Sequence, residues 1–126
     1  MKNITNILSK CLSTYDVVIL KRDDILKKSD KNVSWAKRHT ILSNKDLRYW
    51  YDLAHAQKTP DMPLGIIPLK SIYSIVPLNE GAIGGKQFPF QISASNWVKK
   101  SQLNGERKFS FAAATDDVKH YKIFLS

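Results

Sequence analysis

From Val17 onward the chain is cut into short stretches by charged, proline-bearing or glycine-bearing turns, and the stretches between them suit a pleated sheet. "DVVIL" is an apolar run, and "DILKKS" alternates after a charged interruption at Lys21–Asp24. "WAKRHTIL" and "DLRYWYDL" are rich in aromatic and β-branched residues, with "SNK" between them as a turn. "AHAQKTPDMP" reads as a polar loop, and "LGIIPLKSIYSIVPL", interrupted by Pro68, reads as two strands or a bent pair. "NEGAIGGK" is a glycine-rich turn, "FPFQIS" puts Phe88, Phe90 and Ile92 on one face, and "KFSFAAA" alternates Phe109 and Phe111. Between those two strands "NWVKKSQLNGER" reads as a turn region, with Asn104-Gly105 as its hairpin signal. The pattern predicts about seven short strands.

The two ends differ from this middle. Ile4, Ile7, Leu8, Cys11 and Leu12 form one stripe of a short leading helix that Asn3 could cap. A helix so short needs a surface to dock on. At the other end Thr115 is placed to cap a terminal helix, with Asp116 and Asp117 in its first turn and Val118, Tyr121 and Leu125 along one face. The organisation expected is therefore an extension at 1–16 and one domain at 17–126. A run of strands closed by one helix predicts a mainly β fold, a small barrel or sandwich with the helix over an open end.

Composition narrows the partner. The 126 residues suffice for one domain, and 43% hydrophobic residues suffice for its core. The formal charge of +9 points to a polyanion: an anionic membrane surface, an acidic protein or nucleic acid. A single cysteine, Cys11, rules out an internal disulfide framework and suits a reducing compartment. No apolar run approaches the ~20 residues of a membrane span, so a meeting with a membrane is expected from the water side, on the cytosolic face.

Several motifs are set aside on physical grounds. "GAIGGKQ" has a spacing one residue short for a phosphate-binding loop, and Gln87 stands where the metal-binding hydroxyl belongs. "RKFSFAAA" lacks the glycines of an RNA-stacking strand, so Phe109 and Phe111 are expected in the core and a nucleic-acid partner is not expected. His39, His55 and His120 stand far apart with no further ligand at metal spacing. No catalytic residue, metal or cofactor is nominated.

The succession "DILKK…WAKRHTIL…LRYWYD…PLGIIPLKSIYSI…FPFQIS…RKFSFAAAT…YKIFL" resembles the pleckstrin-homology domain family over about Asp23 to Leu125. The resemblance implies a seven-stranded antiparallel barrel of two near-orthogonal sheets, capped by the C-terminal helix, with a cationic open end that binds phospholipid headgroups in many members. Carried over by position, Lys27 takes the family's lysine and Arg38 its arginine. Ala36 stands where phosphoinositide binders have a basic residue, and Leu64, just before "GIIPL", where binders of 3-phosphoinositides often have arginine. Strand alternation puts Leu42, Thr40, Arg38 and Ala36 on the inward face and Ile41, His39, Lys37 and Trp35 on the other.

Lys27, Arg38 and the adjacent Lys37 are thus the candidate headgroup ligands, although alternation turns Lys37 away. Lys28, Lys31, Val33 and Trp35, around the first hairpin, are the candidate membrane-surface contacts. With two basic positions missing, a simple anionic headgroup, phosphatidic acid foremost, is expected ahead of a polyphosphorylated inositol. More narrowly, the lysine- and asparagine-rich composition and leading helix are similar to acylated apicomplexan members that sense phosphatidic acid, though position 2 is Lys and not the glycine that N-myristoylation needs. The expected protein is a non-catalytic peripheral membrane module, monomeric in solution. A phosphoinositide-binding module is the first alternative, a protein- or peptide-binding module of the same fold the second, and nucleic-acid binding through the basic surface a more distant one.

Overall fold

Among the described residues, nine short strands pair edge to edge into one antiparallel sheet. The computed structural model describes residues 17–29, 34–78 and 88–113. The first three strands are β1, Ile19–Lys28, β2, Trp35–Ser43, and β3, Asp46–Trp50. A six-residue helix α1, Leu53–Lys58, follows, then β4, Gly65–Pro68, a single 3-10 turn, Leu69–Ser71, and β5, Ile72–Pro77. The remaining strands are β6, Phe88–Ala94, β7, Trp97–Lys99, β8, Gln102–Asn104, and β9, Arg107–Ala113. Their order across the sheet is β5-β6-β9-β1-β2-β3-β4-β7-β8.

Strand β1 links the two halves of the sheet, pairing with β2 along its length and with β9 at Leu26 and Lys27. Curling brings the inner faces of both halves together. Ile25, Leu42, Leu47 and Ile67 from one half meet Ile75, Phe90, Ile92, Phe109 and Phe111 from the other in a single buried cluster. The mainly β architecture expected from the alternation is the one observed.

The face alternation expected for β2 also holds. Leu42 and Thr40 are buried on the inner face, and their cross-strand partners Leu47 and Tyr49 are buried with them. The outer face is less simple than the sequence implies. His39 is 6% exposed, its Nδ1 lies 2.7 Å from Asp24 Oδ1, and its ring tilts against Trp50.

Three expectations are corrected. "DVVIL" and "DILKKS" are not separate strands: β1 runs through the charged interruption with a register irregularity between Ile19 and Lys21. "AHAQKTPDMP" is not all loop. Asp52 caps α1 by accepting from the His55 backbone N–H at 2.8 Å and lies 2.6 Å from the His55 ring. The His55 side chain and then its N–H hold the Asp52 carboxyl below the usual carboxylate range. The indole N–H of Trp50 donates to the Thr59 carbonyl and ties the end of this segment to β3.

The third correction concerns "NWVKKSQLNGER", which is a complete hairpin, β7–β8, and it raises the described strands to nine. Its turn is Lys100–Ser101, with φ of 48° and 73°. Two consecutive positive φ angles are the geometry of a two-residue turn matched to strand twist. Asn104-Gly105 instead leads out of β8 toward β9. The leading helix, the glycine-rich turn at 79–87 and the terminal helix lie outside the described residues.

Candidate functional site: a cationic cup at one rim of the sheet

Antiparallel pairing gathers distant parts of the chain at one rim. Lys27 lies opposite Ala36 and Phe111, and Tyr49 lies opposite Gly65, which in turn lies opposite Lys99. The ends of β1, β3 and β7 therefore meet the beginnings of β2, β4 and β9. They enclose a cavity of about 300 Å³ whose wall includes Lys27, Lys28, Arg38, Lys99, Lys100 and Arg107. Tyr49, Tyr51 and Trp97 form its aromatic surfaces. Among the described residues lining it, none is acidic.

Aromatic rings hold the cations in place. Lys27 Nζ stands 5.2 Å from the Tyr49 ring centroid and 6.0 Å from that of Phe109. The Arg38 guanidinium lies 5.1 Å from the Tyr51 centroid, and its Nη1 donates to the Lys37 carbonyl. Arg107 stacks over Trp97 at 4.5 Å and Phe109 at 4.4 Å. A ring face attracts a cation through its quadrupole, and a guanidinium carries its N–H donors in its own plane. Such an arrangement can take up one or more phosphate oxygens through charge-assisted hydrogen bonds.

The nominated residues divide into groups. Lys27 and Arg38 come together in the cup, and Lys28 joins them, its Nζ 5.8 Å from the Trp35 ring. Lys37 does not join them. It projects from the opposite face of β2, 74% exposed, 3.9 Å from Asp24, beside a separate cavity shared with His39 and Tyr51. Trp35 is half-buried, and Lys31 and Val33 lie outside the described residues. Ala36 and Leu64, the two positions noted for lacking a basic side chain, both line the cup.

Sequence reasoning missed Lys99, Lys100 and Arg107. The signal for the two lysines is the basic pair in "NWVKKSQ", hidden when that stretch reads as a turn. A larger cavity, about 480 Å³ and lined by Val17, Ile41 and Trp50, has no comparable charge, and its Arg48 is engaged by Asp46 at 3.0 Å.

Gly65, at the head of "GIIPL", shapes the cup by what it lacks. A Cβ there would lie 2.5 Å from three atoms at the tip of the Tyr49 ring. That ring is 4% exposed and packs edge-on against Phe111, so it has little room to yield. Gly65→Ala is expected to cost about 1–3 kcal/mol of stability through overpacking. It should also displace the ring that carries Lys27. Urea unfolding checks the first effect, and an unchanged midpoint would show that Tyr49 moves freely.

The family model for the PH domain matches residues 19–120. The pleckstrin homology domain of human KIAA0053 protein is similar in structure, with a TM-score of 0.62 at 18% identity over 85% of this chain and 88% of that one. The Slm1 PH domain gives 0.58 at 15% identity over 86% and 98%, and the ORP8 PH domain 0.58 at 16% over 85% and 92%. At these identities the likeness is one of fold. No curated protein matches the chain. The narrower likeness to apicomplexan phosphatidic-acid sensors gains no support from these relatives. The curled antiparallel sheet and the residues matched along it lead to one conclusion: the chain belongs to the PH domain family, whose members are generally non-catalytic modules that bind phospholipid membranes or proteins.

Proposed function

We propose that this domain, at 17–126, is a peripheral membrane module whose cup receives the phosphate of an anionic phospholipid, phosphatidic acid foremost. One observation carries the proposal: six cationic side chains from four separated stretches of chain converge on one cavity of about 300 Å³. Lys27 and Arg38 are the phosphate ligands, and Lys28, Lys99 and Lys100 draw the rim toward the leaflet. A basic side chain near an anionic surface is worth ~1 kcal/mol, so several at one rim hold the domain there in one orientation.

The chemistry of the wall ranks the headgroups. Ala36 and Leu64 contribute no donor, and Lys99 and Lys100 offer point charges in place of arginine forks. A single accessible phosphate is satisfied by such a set. A polyphosphorylated inositol gains from paired forks at defined spacing, which this wall supplies less well. A phosphoinositide is therefore the alternative ligand. The domain docks from the cytosolic side, as a monomer; among the described residues no helix is long and apolar enough to cross a membrane.

Vesicle co-sedimentation tests the proposal. The protein should pellet with phosphatidylcholine vesicles containing phosphatidic acid and remain in the supernatant with phosphatidylcholine alone. Pelleting should fall as salt rises, because the Debye length shrinks from ~10 Å at 0.1 M to ~3 Å at 1 M. Stronger pelleting on phosphoinositide vesicles at equal surface charge would reverse the ranking. Failure to pellet on any anionic vesicle at low salt would leave a protein partner as the better reading.

A further inference from the structure

We propose that the β7–β8 hairpin is a membrane-inserting element, whose outer apolar face enters the acyl boundary of the same anionic bilayer that fills the cup. This rests on the lipid reading above and adds to it a second, hydrophobic contact made by a different surface.

The hairpin has two unlike faces. Its inner row carries Trp97 and Lys99, and both line the cup. Its outer row continues the sheet: Ile66 lies opposite Val98, and Val98 lies opposite Leu103. Directly opposed residues on neighbouring strands put their side chains on the same face, so these three make one apolar strip. Met62 extends it, since Met62, Ile66 and Val98 line one cavity of about 390 Å³. Among the described residues, Leu103 at 74% and Met62 at 71% are the most exposed large hydrophobic side chains.

Continuity with the cup selects the occupant. Leu64 and Lys100 line both the cup and the apolar cavity, so the two sites share a wall at the hairpin turn. Lys99, Lys100 and Ser101 form the end of the hairpin between an anion-binding face and an apolar one. That order, phosphate ligand, then cationic tip, then exposed apolar side chains, matches the layering of a headgroup region above acyl chains. Interfacial elements enter this boundary by about 5–10 Å, a depth within reach of a three-residue strand at ~3.3 Å per residue. Asp61, also on the cavity wall, opposes entry at its own position, which sets the apolar strip at Val98 and Leu103 as the deeper part.

An environment-sensitive dye on Leu103→Cys, in a Cys11→Ser background, reports insertion. On phosphatidylcholine vesicles containing phosphatidic acid its emission should shift to the blue and be quenched by spin-labelled acyl chains. A dye on Lys70→Cys, beyond the far end of β4, should do neither. Leu103→Glu and Met62→Glu, at exposed positions where folding is not at stake, should each weaken vesicle binding about tenfold. Their binding of glycerol phosphate, which has no acyl chain, should be unchanged. Unshifted emission with normal pelleting would overturn the inference and leave the cup intact. Loss of pelleting by the wild type would overturn both. A blue shift that grows with protein concentration without vesicles would replace the bilayer by a second copy paired along β8.

Discussion

Replacing Lys27 and Arg38 together by alanine is expected to remove most of the pelleting on phosphatidic-acid vesicles while the domain remains folded. A hydrogen bond to a charged group contributes about 1.5–3 kcal/mol, so removing both ligands should weaken binding about 100-fold or more. The rim lysines remain in this variant. They should leave a weak, steeply salt-dependent residue of binding that does not distinguish phosphatidic acid from other anionic lipids of equal charge. The two side chains also pack on rings, Lys27 on Tyr49 and Phe109, Arg38 on Tyr51. Lys27→Met, which keeps an apolar stem and removes the charge, separates packing from charge. Arg38→Lys should recover only part of the affinity, because an ammonium cannot replace a planar fork. Isothermal titration with vesicles, beside thermal unfolding of each variant, decides the matter. An unchanged affinity in the double variant would exclude the cup as the phosphate site.

Phe111→Ala is expected to lower unfolding stability by about 3–5 kcal/mol, the largest effect of any single truncation considered. Phe111 is fully buried on β9, opposite Lys27 of β1 and Phe90 of β6. Its ring lies 5.9 Å from that of Phe90 and 6.4 Å from that of Tyr49, with Phe109 at 6.3 Å on the same face of the strand. Removing it opens a cavity where both halves of the sheet meet, and neighbouring strands can close it only by giving up their own hydrogen bonds. Against a typical total of 5–15 kcal/mol, such a loss leaves the domain marginal. Phe111→Leu should cost much less, since it keeps most of the volume. Urea denaturation gives both values. A loss under about 1 kcal/mol for alanine would show that this end of the core is loosely packed.

The link between the two predictions is spatial. Tyr49 touches Lys27 on one side and Phe111 on the other, with Gly65 beneath its ring tip. Core packing therefore reaches the cup through one aromatic side chain. Damage at Phe111 or Gly65 should weaken phosphate binding even where the domain still folds.

Periodicity made the strands legible. Alternation of apolar and polar side chains has a period of two, and it identifies "FPFQIS" and "KFSFAAA" without any tertiary information. The same parity put Arg38 and Ala36 on the inner face of β2 and turned Lys37 outward, as the structure has them. Local signals failed where a turn or cap competes with a stronger neighbouring cue. Asn104-Gly105 is a better turn pair by residue type than Lys100-Ser101, yet the latter closes the hairpin at φ angles those residues seldom adopt. Asp52 caps a helix inside a stretch whose prolines and polar residues argue for loop.

Unaided, the sequence determined the mainly β class, the parity of the second strand and the excess of positive charge, because each depends only on residue types and their spacing. Only the tertiary structure decided where the charge collects. Lys99, Lys100 and Arg107 are 72 to 80 residues from Lys27 along the chain, and strand pairing across the curled sheet brings them to its rim. Spacing along a chain carries no record of such a meeting, since the register that makes it is settled by burial of the shared core.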